Sequence, residues 1–195
     1  MERAASLGPI PRVLPPDLLA MILYLMRHAD AGSFRGNPLL DAKRGLVKEG
    51  KEQCMLMARA LGAVKVQIDV IVSSPLKRAL QTAQFVGTEL GYDARVEVSP
   101  ALAPDGTYAE FQEMLAEYGG HEGMLAVGHN PNMFQFLGRL MTGNGAAAIR
   151  MRKASIARVD LDHHPARLQW LIDPRTIRGI YASVTKSSRP KTSRK

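Results

Sequence analysis

Residues 21–26 read MILYLM, a short apolar run that stops at the charged Arg27. A run of that length fits a strand buried on both faces. From Glu49 to Leu61 the period changes: Gln53, Cys54, Met57, Ala58 and Leu61 recur at three-to-four spacing, which predicts a helix. Ile68–Val72 predicts a second strand. Pro75–Leu90 predicts a helix, with Ser74 to cap it, Pro75 in its first turn and Gly91 to stop it. A short strand at Arg95–Val98, a helix at Tyr108–Tyr118, a strand at Met124–Val127 and a helix at Pro131–Met141 continue the alternation. Ser155–Leu161 and Arg167–Ile172 predict two closing strands around an Asp-His-His-Pro turn, close enough to pair antiparallel. Strands alternating with helices predict an α/β fold, a three-layer α/β/α sandwich with a mostly parallel central sheet.

The chain has 195 residues, 46% of them apolar and 23% charged, which suits one ordinary domain. The domain is expected over 21–182. Residues 1–20 are expected to form a flexible extension, with a targeting peptide or an upstream start before Met21 as alternatives. The longest apolar stretch, Leu18–Met26, is about half of the roughly 20 residues a membrane span needs. No small-residue cleavage site follows it, so neither a membrane partner nor a secretory signal is expected. Cys54 is the only cysteine. It reads as a small core residue and points to a reducing, cytoplasmic setting. The net charge of +8 suggests nucleic acid at first sight, yet the last ten residues hold five basic side chains and no acid. Residues 183–195 are therefore expected to be a basic disordered tail. No nucleic-acid recognition module accompanies it.

In such a sheet, ligands bind beyond the carboxyl ends of the strands. The first strand releases Arg27 and His28 there. The second releases Ser73-Ser74-Pro75, with Arg78 in the next helix, and the strand ending at Val127 releases Gly128-His129-Asn130-Pro131. Two arginines and two histidines on one rim suit phosphoryl transfer. Arginine forks neutralise phosphoryl oxygens, helix starts near Pro75 and Pro131 favour an anion, one neutral imidazole attacks phosphorus, and another stabilises developing charge. No metal and no cofactor is required by this chemistry.

The segments "LMRHADA", "SSPLKRALQTAQ" and "VGHNP" resemble, in order, the three signatures of the histidine phosphatase superfamily, the phosphoglycerate-mutase-like fold. The Arg-His-Ala start is most similar to the SixA-type phosphohistidine phosphatase branch. The resemblance spans roughly Met21–Ile172. It implies that His28 is the nucleophile that becomes phosphorylated, that Arg27 and Arg78 hold the phosphoryl oxygens, and that His129 completes the pocket and stabilises the transition state. Water would then hydrolyse phospho-His28. "NPLLDAKRGLVKEGKEQ" resembles the family's Arg-Pro-Leu-Thr-x-x-Gly stretch, with Arg44, Leu46 and Gly50 in register. The family's proline is Gly45 here and its threonine is Val47, and the segment reads as a structural lead into the helix. For the general acid, many members of the superfamily use a carboxylate from the segment after the third strand, and the small branch often lacks the larger enzymes' glutamate. Asp105 is the candidate, ahead of Glu110 and Asp30, although a Pro-Asp-Gly context is equally that of a turn.

His121, His163 and His164 read as surface residues. Arg78 and His129 lie 51 positions apart, an interval already filled by a helix, a short strand and another helix. That leaves little for a cap insertion, so no large cap domain is expected and an open pocket follows. An open pocket suits a phosphohistidine carried by a protein, and disfavours a mutase, which must shield its intermediate from water. The alternatives are a small-molecule phosphomonoesterase, dependent on an acid such as Asp105, and a non-catalytic phosphate- or phosphoprotein-binding module.

Overall fold

A computed structural model of the chain describes residues 21–34, 36–143 and 147–187. The expected N-terminal extension lies outside these residues, as does the tail beyond Ser187. Six strands form one sheet: β1 (Ile22–Arg27), β2 (Val70–Ser73), β3 (Glu97–Val98), β4 (Gly123–Gly128), β5 (Ile156–Asp160) and β6 (Arg167–Ile172), in the order β3-β2-β4-β1-β5-β6. The first four run parallel, and β5 and β6 are antiparallel to their neighbours. The helices are α1 (Pro38–Ala42), α2 (Lys48–Ala63), α3 (Lys77–Leu90), α4 (Tyr108–Glu117), α5 (Asn132–Thr142) and α6 (Pro174–Ser187).

The strand alternation of β1 divides the core. Leu23 and Leu25 face one layer, packed with Phe111, Met114 and Leu115 of α4 and Phe136 and Leu137 of α5. Tyr24 and Met26 face the other, packed with Cys54, Met57 and Leu61 of α2 and Ala83 and Val86 of α3. Both faces of the central strands are thus covered, which is why β1, β2 and β4 read as continuous apolar runs rather than alternating ones. The expected three-layer sandwich is present, without a large cap: α3, β3, a 3-10 turn (Pro100–Leu102) and α4 fill the stretch between Arg78 and β4.

The structure departs from the expected elements locally. Helix α3 begins at Lys77, with Leu76 rather than Ser74 at its N-cap, so Pro75 lies before the first turn. Gly91 stops it in a left-handed conformation (φ 72°) as expected. Helix α1 and the 3-10 turn were not foreseen, being too short to show a period. Nor was α6, which runs past the expected domain boundary at residue 182 and past Ser183, where the tail was expected to begin. His121 and His164 are exposed, while His163 is half-buried beside Asp160. Among the described residues, no helix is long and apolar enough to cross a membrane.

Candidate active site

Sheet order explains why distant segments meet. β4 lies between β2 and β1, all three parallel, so their carboxyl ends release Ser74, His129 and His28 side by side. Backbone bonds extend the ladder past the strands: His28 N–H donates to the Gly128 carbonyl (2.9 Å) and Ser74 N–H to the Val127 carbonyl (2.9 Å). The rings of His28 and His129 stand 4.9 Å apart between centroids, tilted by 53°. Arg78 is 5% exposed and His129 2%, unusual burial for such polar groups.

Each imidazole is held in one state. The Nδ1 of His28 lies 2.7 Å from the Ala29 carbonyl oxygen, an acceptor only. The Nδ1 must therefore carry the proton, and Nε2 keeps its lone pair. Burial pushes the His28 pKa down to about 4. The charges of Arg78, Arg27 and Arg44 push in the same direction, against the Ala29 hydrogen bond. Burial, then His28 and the same three arginines, lower His129 to about 2. Both rings are neutral at ordinary pH.

Ser74 assigns the tautomer of His129. Its Oγ accepts from Leu76 N–H (3.3 Å) and lies 2.8 Å from His129 Nε2. The hydroxyl proton needs an acceptor, and Nε2 is the one its contacts offer. That leaves the His129 proton on Nδ1, which is buried with no partner among the described residues. The Nε atoms of Arg27 and Arg78 are likewise buried and unpaired. Three unsatisfied donors in a buried setting of positive charge are costly unless an anion meets them.

The arginines are positioned by bonds the motifs do not reveal. Arg27 Nη1 donates to the Met151 carbonyl (3.0 Å). Arg78 Nη1 donates to the Asp41 backbone carbonyl (2.9 Å) and pairs with its carboxylate (3.1 Å). Arg44 Nε donates to the same carboxylate (2.8 Å), and its Nη1 donates to the Ala31 and Gly32 carbonyls (2.9 Å each). Burial raises the Asp41 carboxyl, but the Arg44 hydrogen bond and the charges of both arginines outweigh this and hold it below the usual carboxylate range. Thr82 Oγ1 accepts from Ala29 N–H and donates to the Arg78 carbonyl, tying the loop after His28 to α3. Gly50 admits α2 against the same loop, where a Cβ would collide with the Asp30 carbonyl.

The comparisons with known proteins agree with this geometry. The model of "Histidine phosphatase superfamily (branch 1)" matches residues 23–103. The phosphohistidine phosphatase SixA of Escherichia coli is 30% identical over 159 residues, covering 79% of this chain and 94% of SixA. The chain belongs to the histidine phosphatase superfamily, in its SixA-type branch. It is a histidine phosphatase, a hydrolase. An uncharacterised protein of Picosynechococcus is also 30% identical, over 76% of this chain and 89% of its own length. A solved structure of the protein histidine phosphatase SixA complexed with tungstate superposes with a TM-score of 0.70 at 28% identity, covering 80% of this chain and 99% of that one.

The carboxylates considered for this histidine phosphatase lie in different settings. Glu110 is exposed and closes a capping box, its Oε2 accepting from Thr107 N–H and Oγ1 (2.7 Å each). Asp30 pairs with Lys153 (2.7 Å) and accepts from Gly32 N–H (2.8 Å). Asp105 is exposed. Its loop is anchored next to His129, because Asn132 Nδ2 at the start of α5 donates to the Ala103, Pro104 and Gly106 carbonyls. The sequence reading did not give Asp41, Thr82 or Ser74 a role at the site. Ser74 and Thr82 stand inside a quoted signature, which was the available signal. Asp41 stands inside the quoted lead into α2, three positions before Arg44. Cys54 is fully buried, and burial pushes its thiol up to about 12, so it serves as packing.

Proposed function

We propose that this phosphatase dephosphorylates phosphohistidine on a protein, through a phosphorylated His28. The observation that carries the reading is the pairing of a neutral His28, its Nδ1 proton committed to Ala29, with three buried unpaired donors on Arg27, Arg78 and His129. The His28 Nε2 lone pair attacks phosphorus, a new N–P bond forms, and the bond from phosphorus to the substrate's imidazole breaks. Arg27 and Arg78 neutralise the phosphoryl oxygens, and His129 Nδ1–H donates to one of them as charge develops. Water then cleaves the His28 N–P bond, releasing phosphate and restoring the neutral ring.

The leaving group decides how much acid is needed. A protonated imidazole departs readily, whereas an alkoxide does not. Asp105, exposed and without a partner among the described residues, is the proton donor assigned here. It matters most for ester substrates. The lack of a large cap, and the likeness to a relative named phosphohistidine phosphatase, favour a phosphoryl group presented by a bulky partner. The small-molecule phosphomonoesterase is the second reading, favoured by the unpaired Asp105.

The test is phosphate release from a phosphohistidine-bearing protein and from p-nitrophenyl phosphate in parallel, with His28→Ala as control and a chelator present. Faster release from the protein, lost in the variant and indifferent to chelator, is expected. Comparable or better turnover of the ester would overturn the reading in favour of the phosphomonoesterase.

A further inference from the structure

Beside the phosphate-binding residues, a cleft of about 360 Å³ opens between the end of β1, the segment leading into β5, and the start of α6. Six cations line it: Arg27, Arg150, Arg152, Lys153, Arg175 and Arg178. Three are answered by acids, Lys153 by Asp30 (2.7 Å), Arg152 by Asp173 (3.5 Å) and Arg178 by Glu49 (2.7 Å). Arg150 and Arg175 are exposed and have no acidic partner among the described residues. The cleft is continuous with the catalytic rim, because Arg27 belongs to both. Its Nη1 is fixed to the Met151 carbonyl in the cleft wall.

We propose that this cleft docks a carboxylate-rich segment of the phosphoprotein substrate, beside the phosphohistidine being hydrolysed; the inference rests on the phosphoprotein reading above. Five of the six cations are arginines, whose planar fork matches a carboxylate in two parallel bonds. They are spread over three chain segments; Arg150, Arg175 and Arg178 are exposed, and Arg27, Arg152 and Lys153 are half-buried. A compact anion would require convergent, buried donors such as those around His28. Spaced, solvated cations instead match spaced carboxylates along a chain. They raise the encounter rate and select the partner while contributing modestly to affinity. The cleft therefore governs which phosphohistidine reaches His28, and leaves the chemistry alone.

Two phosphohistidine peptides test this, identical except that glutamates flanking the phosphohistidine in one are glutamines in the other. The wild-type enzyme is expected to hydrolyse the glutamate peptide with a kcat/KM about three- to tenfold higher at low salt, the range set by two exposed ion pairs. The advantage is carried by KM and shrinks as salt is added. In the Arg150→Glu, Arg175→Glu double variant the preference disappears or reverses, while p-nitrophenyl phosphate turnover is unchanged. Equal rates on the two peptides in the wild type, or a preference surviving in the double variant, overturns the docking site alone. Hydrolysis of p-nitrophenyl phosphate with neither peptide turned over overturns the phosphoprotein reading, and the docking site with it.

Discussion

Acidification provides a direct check on the neutral state of His28. An unfolded-chain imidazole takes up its proton near pH 6.5, and the folded ring holds out to about 4. Between those values the unfolded chain binds a proton that the native protein does not, so stability falls as pH falls. The slope inside the window is about 1.4 kcal/mol per pH unit. Integrated from pH 7 to pH 5, His28 alone removes about 2 kcal/mol, a large share of a typical folding free energy. His129 adds a loss of its own across the same interval. The contribution of His28 is isolated by urea unfolding of wild type and His28→Ala at both pH values. Other groups largely cancel in the difference, and any cavity left by the substitution is a pH-independent offset. The variant is expected to gain about 2 kcal/mol relative to wild type on going from pH 7 to pH 5. A difference that does not change with pH would refute the depressed titration, and one of opposite sign would mean that the folded ring is charged and cannot attack phosphorus.

Arg78→Ala should cost about 2–4 kcal/mol of transition-state stabilisation, read as kcat/KM, and Arg78→Lys should recover only part of it because a point charge cannot replace a fork. Ser74→Ala should leave the rings in place but release the His129 tautomer, lowering kcat about tenfold with little change in KM, consistent with the loss of one buried hydrogen bond. Asp105→Ala should change phosphohistidine hydrolysis by no more than about threefold while cutting turnover of an alkyl ester such as glycerol phosphate, whose alkoxide must be protonated to leave, about a hundredfold or more, the lower range for a lost general acid; equal losses on both substrates would remove the leaving-group argument. Val47 is the N-cap of α2 and makes no side-chain cap bond, so Val47→Thr should raise unfolding stability by about 1 kcal/mol in urea titration.

The sheet and the four residues brought to its rim were legible because each rested on a regular signal. The central strands are buried on both faces and read as unbroken apolar runs, and their ends are abrupt changes to polar residues. Helices α2, α3, α4 and α5 carried a period over at least ten residues. Helix α1 spans five residues and buries none of them, so no hydrophobic stripe marks it. Helix α6 packs only part of its length, with Ile177 against the α2 and α3 layer while Ile180, Tyr181 and Val184 are exposed, and it leads into a basic stretch that read as solvated chain. Serine before proline predicts a helix cap, which is the role the sequence suggests for Ser74. Here the backbone turns once more before α3 begins, and the hydroxyl is left to bridge Leu76 and His129.

The least legible feature was the sign of charge around Arg78. Motif reading collects cations for a phosphoryl group and gives no reason to expect a carboxylate among them. Asp41 nevertheless pairs with both Arg78 and Arg44. Two guanidiniums near two buried imidazoles would repel one another without a counter-charge, and a flexible arginine would lose side-chain entropy on each turnover. Asp41 holds one arm of Arg78 and leaves its Nε unpaired, so the fork is oriented before an anion arrives. Arg44 in turn fixes the carbonyls of Ala31 and Gly32, in the loop that follows His28. The segment that reads as a lead into α2 is therefore also a brace that ties the loop after His28 to Arg78. The sequence shows the residue types of that brace, and only the fold shows that they act on the same two partners.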